Sequence, residues 1–132
     1  MRTAISLTCM LLLGIAQAEE TNPLVGSWVW NPVEGTCREI HTFHADGTAM
    51  TESGGEILQK TYEVASASSG MLRVTATVVG TNGGLDCLGS ETAIGASSTV
   101  FIMFTNGGDF YTCASEDGMS CYGSASRQRT GQ

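Results

Sequence analysis

The densest group of side chains that could do chemistry lies between Cys37 and Asp46. It also holds His41, His44 and Glu39, and these residue types are the usual ligands of a zinc site. Residues three apart on a strand point to opposite faces, so the two imidazoles diverge if this segment is extended. We therefore interpret the group as ordinary polar residues of a strand and predict no metal site.

The chain lacks the other common arrangements for catalysis. No serine lies in a Gly-x-Ser-x-Gly turn between a strand and a helix, and no glycine-rich loop opens a helix to bind phosphate. Adjacent carboxylates occur at Glu19-Glu20, near an expected free terminus, and at Glu116-Asp117, in an expected hairpin tip. Such solvated places lack the desolvation on which acid catalysis by a carboxyl group relies. The sequence favours a protein that is not an enzyme and uses no cofactor.

The first eighteen residues have the three parts of a secretory signal peptide. Arg2 supplies the positive charge, residues 4–15 form the apolar stretch, and Ala16-Gln17-Ala18 is a small-residue cleavage site. The apolar stretch is shorter than the roughly 20 residues that span a bilayer as a helix. We predict cleavage after Ala18, no stable membrane anchor, a secreted or periplasmic location, and one domain over residues 19–132.

The predicted mature chain is strongly acidic. Of the 132 residues, the leader takes 18 and leaves 114, the size of one domain. The whole chain carries a net charge of −7, and removing Arg2 with the leader makes it −8. Such a surface repels nucleic acid and anionic lipid, so we predict no nucleic-acid partner. The alternative interpretation is that the acidity serves solubility only.

The cysteines predict two disulfides. The mature chain holds four of them, Cys37, Cys87, Cys113 and Cys121, and an even number in a secreted chain allows three connectivities. Cys113 and Cys121 lie four residues on either side of Asp117. A three-residue loop at 116–118 would place them opposite each other on neighbouring strands, within disulfide range. We predict this pair, which leaves Cys37–Cys87 as the longer closure.

The rest of the chain has the pattern of short strands and turns. It carries 17 glycines and two prolines and shows no helical stripe. Ala45-Asp46-Gly47 predicts a hairpin that pairs Phe43 with Ala49, because glycine adopts a left-handed conformation without steric cost. The clearest alternation places one set of apolar side chains on the inner face of a strand at 71–79: Leu72, Val74, Ala76 and Val78.

These patterns predict eight or nine strands in consecutive hairpins. We expect them at 24–30, 38–44, 48–52, 57–65, 71–79, 99–105, 109–114 and 119–125, with a weak one at 90–94. The segment 99–105 is apolar at both alternating sets of positions, so we expect it to be covered on both sides. Closure of such a meander removes its exposed edges. The predicted fold is an all-β, antiparallel, up-and-down barrel.

Three features resemble small bacterial secreted lipocalin-like domains of the calycin type. They are Gly26-x-Trp28 in the first strand, Arg127 after the last, and the Ala-Asp-Gly-Thr turn within residues 43–50. The resemblance implies that Arg127 packs over Trp28 and closes the floor of the barrel. It also implies a carrier role for a small ligand. The chain departs from larger lipocalins because it is short and lacks their long helix.

The candidate ligand-binding residues are apolar or aromatic and are expected on the barrel interior: Phe101, Met103, Phe110, Tyr62 and Trp30. Plain core packing is the alternative for this set, because small barrels fill tightly. We predict a secreted or periplasmic lipocalin-like binding protein for a small apolar or amphipathic ligand. The alternative is a periplasmic inhibitor or immunity-type protein that binds a secreted hydrolase through acidic loops at 52–56 and 116–117, steered by its charge.

Overall fold

Eight antiparallel strands form a meander that closes into a barrel through pairing of the first strand with the last. The computed structural model describes residues 21–129, and the predicted leader lies outside this range. The strands are β1 (Gly26–Pro32), β2 (Glu39–Phe43), β3 (Thr48–Ser53), β4 (Glu56–Ser66), β5 (Leu72–Thr81), β6 (Ser97–Phe104), β7 (Phe110–Cys113) and β8 (Cys121–Arg127). The predicted all-β, up-and-down barrel is confirmed.

The β2–β3 hairpin and the face of β5 follow the sequence pattern. Phe43 pairs with Ala49, and Gly47 turns the chain at φ +85°. On β5, Val74 and Val78 are buried while Arg73 between the inner positions is exposed. A period of two residues therefore sets the inside and outside of these strands.

The weak strand predicted at 90–94 is wrong, because residues 82–96 form the long β5–β6 loop. The Asp86 carboxylate accepts hydrogen bonds from the backbone N–H groups of Leu88 and Ser90, at 3.0 and 2.8 Å. Such local bonds from an aspartate give the backbone an alternative to a sheet ladder. A side chain within the loop thus holds residues 88–90 in a turn instead of a strand.

The expectation that 99–105 is covered on both sides is also wrong. Ile102 on β6 is buried in the core, but its neighbour Met103 exposes 36% of its surface. A closed single barrel has one interior, so alternate side chains of every strand face outward. The apolar run therefore supplies an inner row and a partly exposed outer row.

Trp28 and Arg127 lie at one end of the barrel, which we call the floor. Trp28 is fully buried, its indole N–H donates to the Leu24 carbonyl at 2.8 Å, and the Arg127 guanidinium lies 4.4 Å above the ring. Gly26 keeps this contact possible, because a Cβ there would lie 2.7 Å from Arg127 Nη1. The predicted position of Arg127 over Trp28 is thus present.

The opposite end, which we call the mouth, carries the β1–β2, β3–β4, β5–β6 and β7–β8 connections. Both predicted disulfides are confirmed. Cys37–Cys87 ties the β1–β2 connection to the β5–β6 loop with a Cα–Cα distance of 5.4 Å, and Cys113 is opposite Cys121 in the β7–β8 register. Within residues 21–129, no helix has the length and apolar character needed to cross a membrane.

Candidate functional site

Three adjoining cavities occupy the barrel interior between floor and mouth, and the His41 imidazole borders all of them. The first, about 160 Å³, has largely aromatic walls that include Trp28, Trp30 and Phe110. The second, about 210 Å³, lies towards the mouth and has polar walls. The third, about 90 Å³, shares lining residues with each of the other two. This interior space is the candidate binding site.

The alternation of β2 places charged groups inside the barrel. Glu39, His41 and Phe43 line the cavities, because the period of two brings every second residue to the inner face. His41 Nε2 lies 3.3 Å from Glu39 Oε1, and its Nδ1 lies 3.3 Å from the Thr51 hydroxyl. With its proton on Nε2, the imidazole donates to the glutamate and accepts from the threonine. This chain of bonds fixes His41 at the centre of the site.

The electrostatics favour an ionised Glu39. Burial raises the pKa of this carboxyl group, but hydrogen bonds from His41 and Ser53 and the positive charge of Lys60 bring it below its ordinary value. Hydrogen bonds and opposite charges stabilise the charged form of an acid. The site therefore holds a negative charge next to its aromatic wall.

Lys60 brings a positive charge into the same space. Its side chain borders the polar and the smallest cavities, and within residues 21–129 it makes no hydrogen bond and no ion pair. Burial lowers the pKa of Lys60, and the charges of Glu39 and Glu56 partly oppose that effect. An ammonium group has three donors, which here face a cavity.

Glu56 attaches the β5–β6 loop to the mouth. It is only 2% exposed, and its two carboxylate oxygens accept from the Thr92 backbone N–H at 2.8 Å and the Thr92 hydroxyl at 3.0 Å. Nearby, the Ser53 hydroxyl lies 3.3 Å from the Cys87 backbone nitrogen. The loop is thus fixed across the polar cavity by side-chain bonds as well as by the disulfide.

Replacing Glu56 with alanine is expected to free this part of the loop. The change leaves the Thr92 N–H without its acceptor, and an unsatisfied buried donor costs about 1–3 kcal/mol. We expect faster hydrogen exchange at the Thr92 amide and a lower free energy of unfolding. Glu56→Gln, which keeps one acceptor oxygen, should lose less, and Glu91→Ala, an exposed acid in the same loop, should change neither. If the Thr92 amide exchanges at the same rate in Glu56→Ala as in the wild type, Glu56 does not anchor the loop.

The structure brings two of the predicted ligand-binding residues together and separates the others. Trp30 and Phe110 line the aromatic cavity, and the Trp30 N–H donates to the Thr112 hydroxyl at 2.9 Å. Phe101 and Met103 alternate with the buried Ile102 and so lie on the outer face of β6. They do not line the interior cavities.

Tyr62 lies inside the barrel but towards the floor. Its hydroxyl donates to the His44 carbonyl at 2.6 Å and accepts from the Asn22 amide at 2.9 Å, and its ring contacts Phe43 edge-on with centroids 5.0 Å apart. It borders a separate cleft of about 340 Å³ whose wall includes residues 21–23. Tyr62 therefore closes the floor side of the barrel and is separated from the polar cluster.

Sequence reasoning missed Glu39, His41 and Lys60 as members of one interior site. The alternation of the two β2 residues with Phe43 was an ambiguous signal, because Ile40 on the opposite face is also apolar. His44 lies just beyond β2 and is exposed, so the two imidazoles do diverge. Among residues 21–129, no three histidine, cysteine or acidic side chains come together as metal ligands would.

Comparison with known proteins returns no match to a family model, to a curated protein or to a solved structure. The fold and the site define the class: a closed eight-stranded antiparallel barrel, joined by two disulfides, with a polar cluster inside it.

Proposed function

We propose that the protein is a secreted, lipocalin-like binding protein that takes a small apolar or amphipathic ligand into its barrel. The observation that carries this proposal is the set of adjoining cavities around His41, between the aromatic floor and the polar mouth. Ligand sites commonly span about 300–1,000 Å³ and combine apolar walls with a few polar groups. Each cavity alone is smaller, so a ligand must extend across their shared boundary, and it must be small.

The two larger cavities of the site have different chemistry, which supports an amphipathic ligand. In the aromatic cavity, the indoles of Trp28 and Trp30 and the ring of Phe110 offer apolar faces. In the polar cavity, Lys60 and the Glu39–His41 pair offer charge and hydrogen bonds. A barrel that served only as a scaffold would fill its interior with apolar side chains. Charged groups beside a cavity favour binding over packing alone.

Export from the cytoplasm is part of this proposal. Two disulfides indicate an oxidising compartment, and residues 1–18 have the composition of a signal peptide. Arg127 over Trp28 supports the resemblance to lipocalin-like barrels. If the leader is removed as proposed, intact mass measurement of the exported protein gives a chain that begins at Glu19.

Filling the cavities from one wall should abolish binding. Ala76 borders both the polar and the smallest cavities, so Ala76→Phe places a ring in the space a ligand would use. With naphthalene as probe and tryptophan fluorescence as readout, we expect saturable binding to the wild type and a loss of about tenfold or more in the variant. Thr75→Phe, its neighbour on the outer face of β5, is the matched control and should bind normally. If both variants bind naphthalene equally well, the probe binds outside the interior cavities.

A second candidate function, inhibition of a secreted hydrolase, is favoured by the connections at the mouth, which include the β7–β8 connection. Their exposed apolar side chains, each 64–86% accessible, are Val33, Leu88, Ile94 and Met119. Exposed apolar groups clustered among acids are typical of a protein-binding surface. Of the acidic loops predicted for this role, 116–117 is exposed, whereas Glu56 is buried and bonded to Thr92.

Two loop substitutions test this alternative. We expect Leu88→Ser with Met119→Ser to abolish capture of a cationic secreted hydrolase from the extracytoplasmic extract of the host, while naphthalene binding stays unchanged. Salt at about 0.5 M should weaken the capture, because it screens exposed charges. Val79→Ser, an exposed apolar position on β5, is the control. Capture that survives both the substitutions and the salt would exclude this surface.

A further inference from the structure

We infer that the ligand of the interior site is an uncharged molecule that presents an oxygen acceptor, such as a ketone, alcohol or amide, to Lys60, and that it is not a carboxylic acid. This inference rests on the proposed binding function and specifies the chemistry of the ligand. It follows from the hydrogen bonds that the polar cavity already makes and from those that it leaves open.

The N–H groups of Lys60 are the hydrogen-bond donors that the described residues of the polar cavity leave without a partner. Lys60 borders the polar cavity, and no acceptor within residues 21–129 takes a hydrogen bond from its ammonium group. The acidic groups of the same wall already have donors: Glu56 has Thr92, and Glu39 has His41. A bound molecule that covers this ammonium group must therefore offer an acceptor, because a donor that becomes buried without a partner is costly.

The charge of the wall excludes an acidic ligand. Three carboxylates border the polar cavity, from Glu39, Glu56 and Asp86, against the one ammonium group of Lys60. Like charges a few ångströms apart repel strongly where water is scarce. A carboxylate placed at Lys60 would meet the field of these three acids, whereas a neutral oxygen accepts the same hydrogen bond without that cost.

A cationic ligand fits no better. Its ammonium group would offer no acceptor to the donors of Lys60 and would lie beside a second positive charge, and one oxygen of Asp86 already accepts from two backbone N–H groups. The apolar part of the ligand has a defined place, because the aromatic cavity adjoins the polar one at His41. The site thus fits a flat apolar body with one neutral oxygen.

Four naphthalene probes of matched shape test this inference: 2-acetylnaphthalene, 2-naphthoate, 2-naphthylmethylamine and naphthalene itself. By calorimetry at pH 7, we expect the ketone to bind about tenfold more tightly than the acid, the amine and the parent hydrocarbon. Lys60→Met keeps the length of the side chain and removes its donors, so it should reduce ketone affinity to that of naphthalene. Glu39→Gln removes one repelling charge and should strengthen naphthoate binding severalfold.

The outcomes separate the inference from the function on which it rests. If naphthoate binds best, or if Lys60→Met leaves ketone affinity unchanged, the assigned ligand chemistry is wrong and the binding function stands. If none of the four probes binds the folded protein, both are wrong. Circular dichroism of each variant shows that a lost affinity does not reflect a lost fold.

Discussion

Trp28→Ala is expected to lower the free energy of unfolding by about 3–5 kcal/mol, the usual cost of truncating a buried tryptophan. Trp28 is fully buried, and its ring packs against Phe110 and Phe104 with centroids 4.7 and 6.2 Å away. The substitution opens a cavity where β1 meets the floor and removes the surface that Arg127 covers. Small domains have only about 5–15 kcal/mol of stability, so this variant should lose a large share of it and unfold at a lower temperature than the wild type.

Two milder variants separate the contributions to this effect. Trp28→Phe keeps an aromatic ring but loses the hydrogen bond to the Leu24 carbonyl, and we expect a smaller loss than with alanine. Arg127→Met keeps an apolar stem and removes the guanidinium, whose stacking on an indole contributes about 0.5–2 kcal/mol. It also loses the bonds to the Val25 and Pro23 carbonyls, at 3.1 and 3.2 Å. Urea unfolding followed by circular dichroism measures all three. A loss below about 1 kcal/mol in Trp28→Ala would contradict the structural role of the floor.

The barrel could be predicted because its local signals agree. Glycine at position 47, the alternation on β5 and the hairpin between Cys113 and Cys121 are features of short range, and each has one favourable geometry. The β5–β6 loop could not be read in this way. Its shape depends on the long-range bond between Glu56 and Thr92 and on the Asp86 side chain, and neither leaves a periodic pattern in the sequence.

The interior site could not be predicted from the sequence for a different reason. A strand of five residues such as β2 gives two alternating sets, and Ile40 on one set is as apolar as Phe43 on the other. A slip of one residue exchanges the two faces, so the sequence alone cannot assign Glu39 and His41 to the interior. Their register against Trp30 and Trp28 on β1 makes that assignment.

For Phe101 and Met103, hydrophobicity was misleading. Both sets of positions on β6 are apolar, and only the closure of the barrel decides that Ile102 faces inward. Of the candidate ligand residues, Trp30 and Phe110 line the aromatic cavity, and their role in binding stays a prediction. Apolar character alone does not distinguish an inner from an outer row.

The two disulfides should contribute unequally to stability. Cross-linking stabilises mainly by restricting the unfolded chain, and the effect grows with the length of the closed loop. Cys37 and Cys87 are 50 residues apart, whereas Cys113 and Cys121 are eight apart. From these separations we expect the double serine variant of the first pair to lose about 4 kcal/mol and that of the second about 2.5 kcal/mol.

The position of Cys37–Cys87 in the fold adds to this difference in stability. Removing this disulfide, which closes the longer loop, is therefore the more informative experiment. Cys37–Cys87 holds the β5–β6 loop over the polar cavity, next to Ser53, so its loss should also speed hydrogen exchange at the Asp86 and Thr92 amides. Loss of Cys113–Cys121 should leave that exchange unchanged, because its hairpin is closed by strand pairing. The two double variants could instead lose equal free energies of unfolding in urea, with no change of hydrogen exchange in the β5–β6 loop. That result would mean that Glu56 and the hydrogen bonds within the loop hold the loop in place without the disulfide.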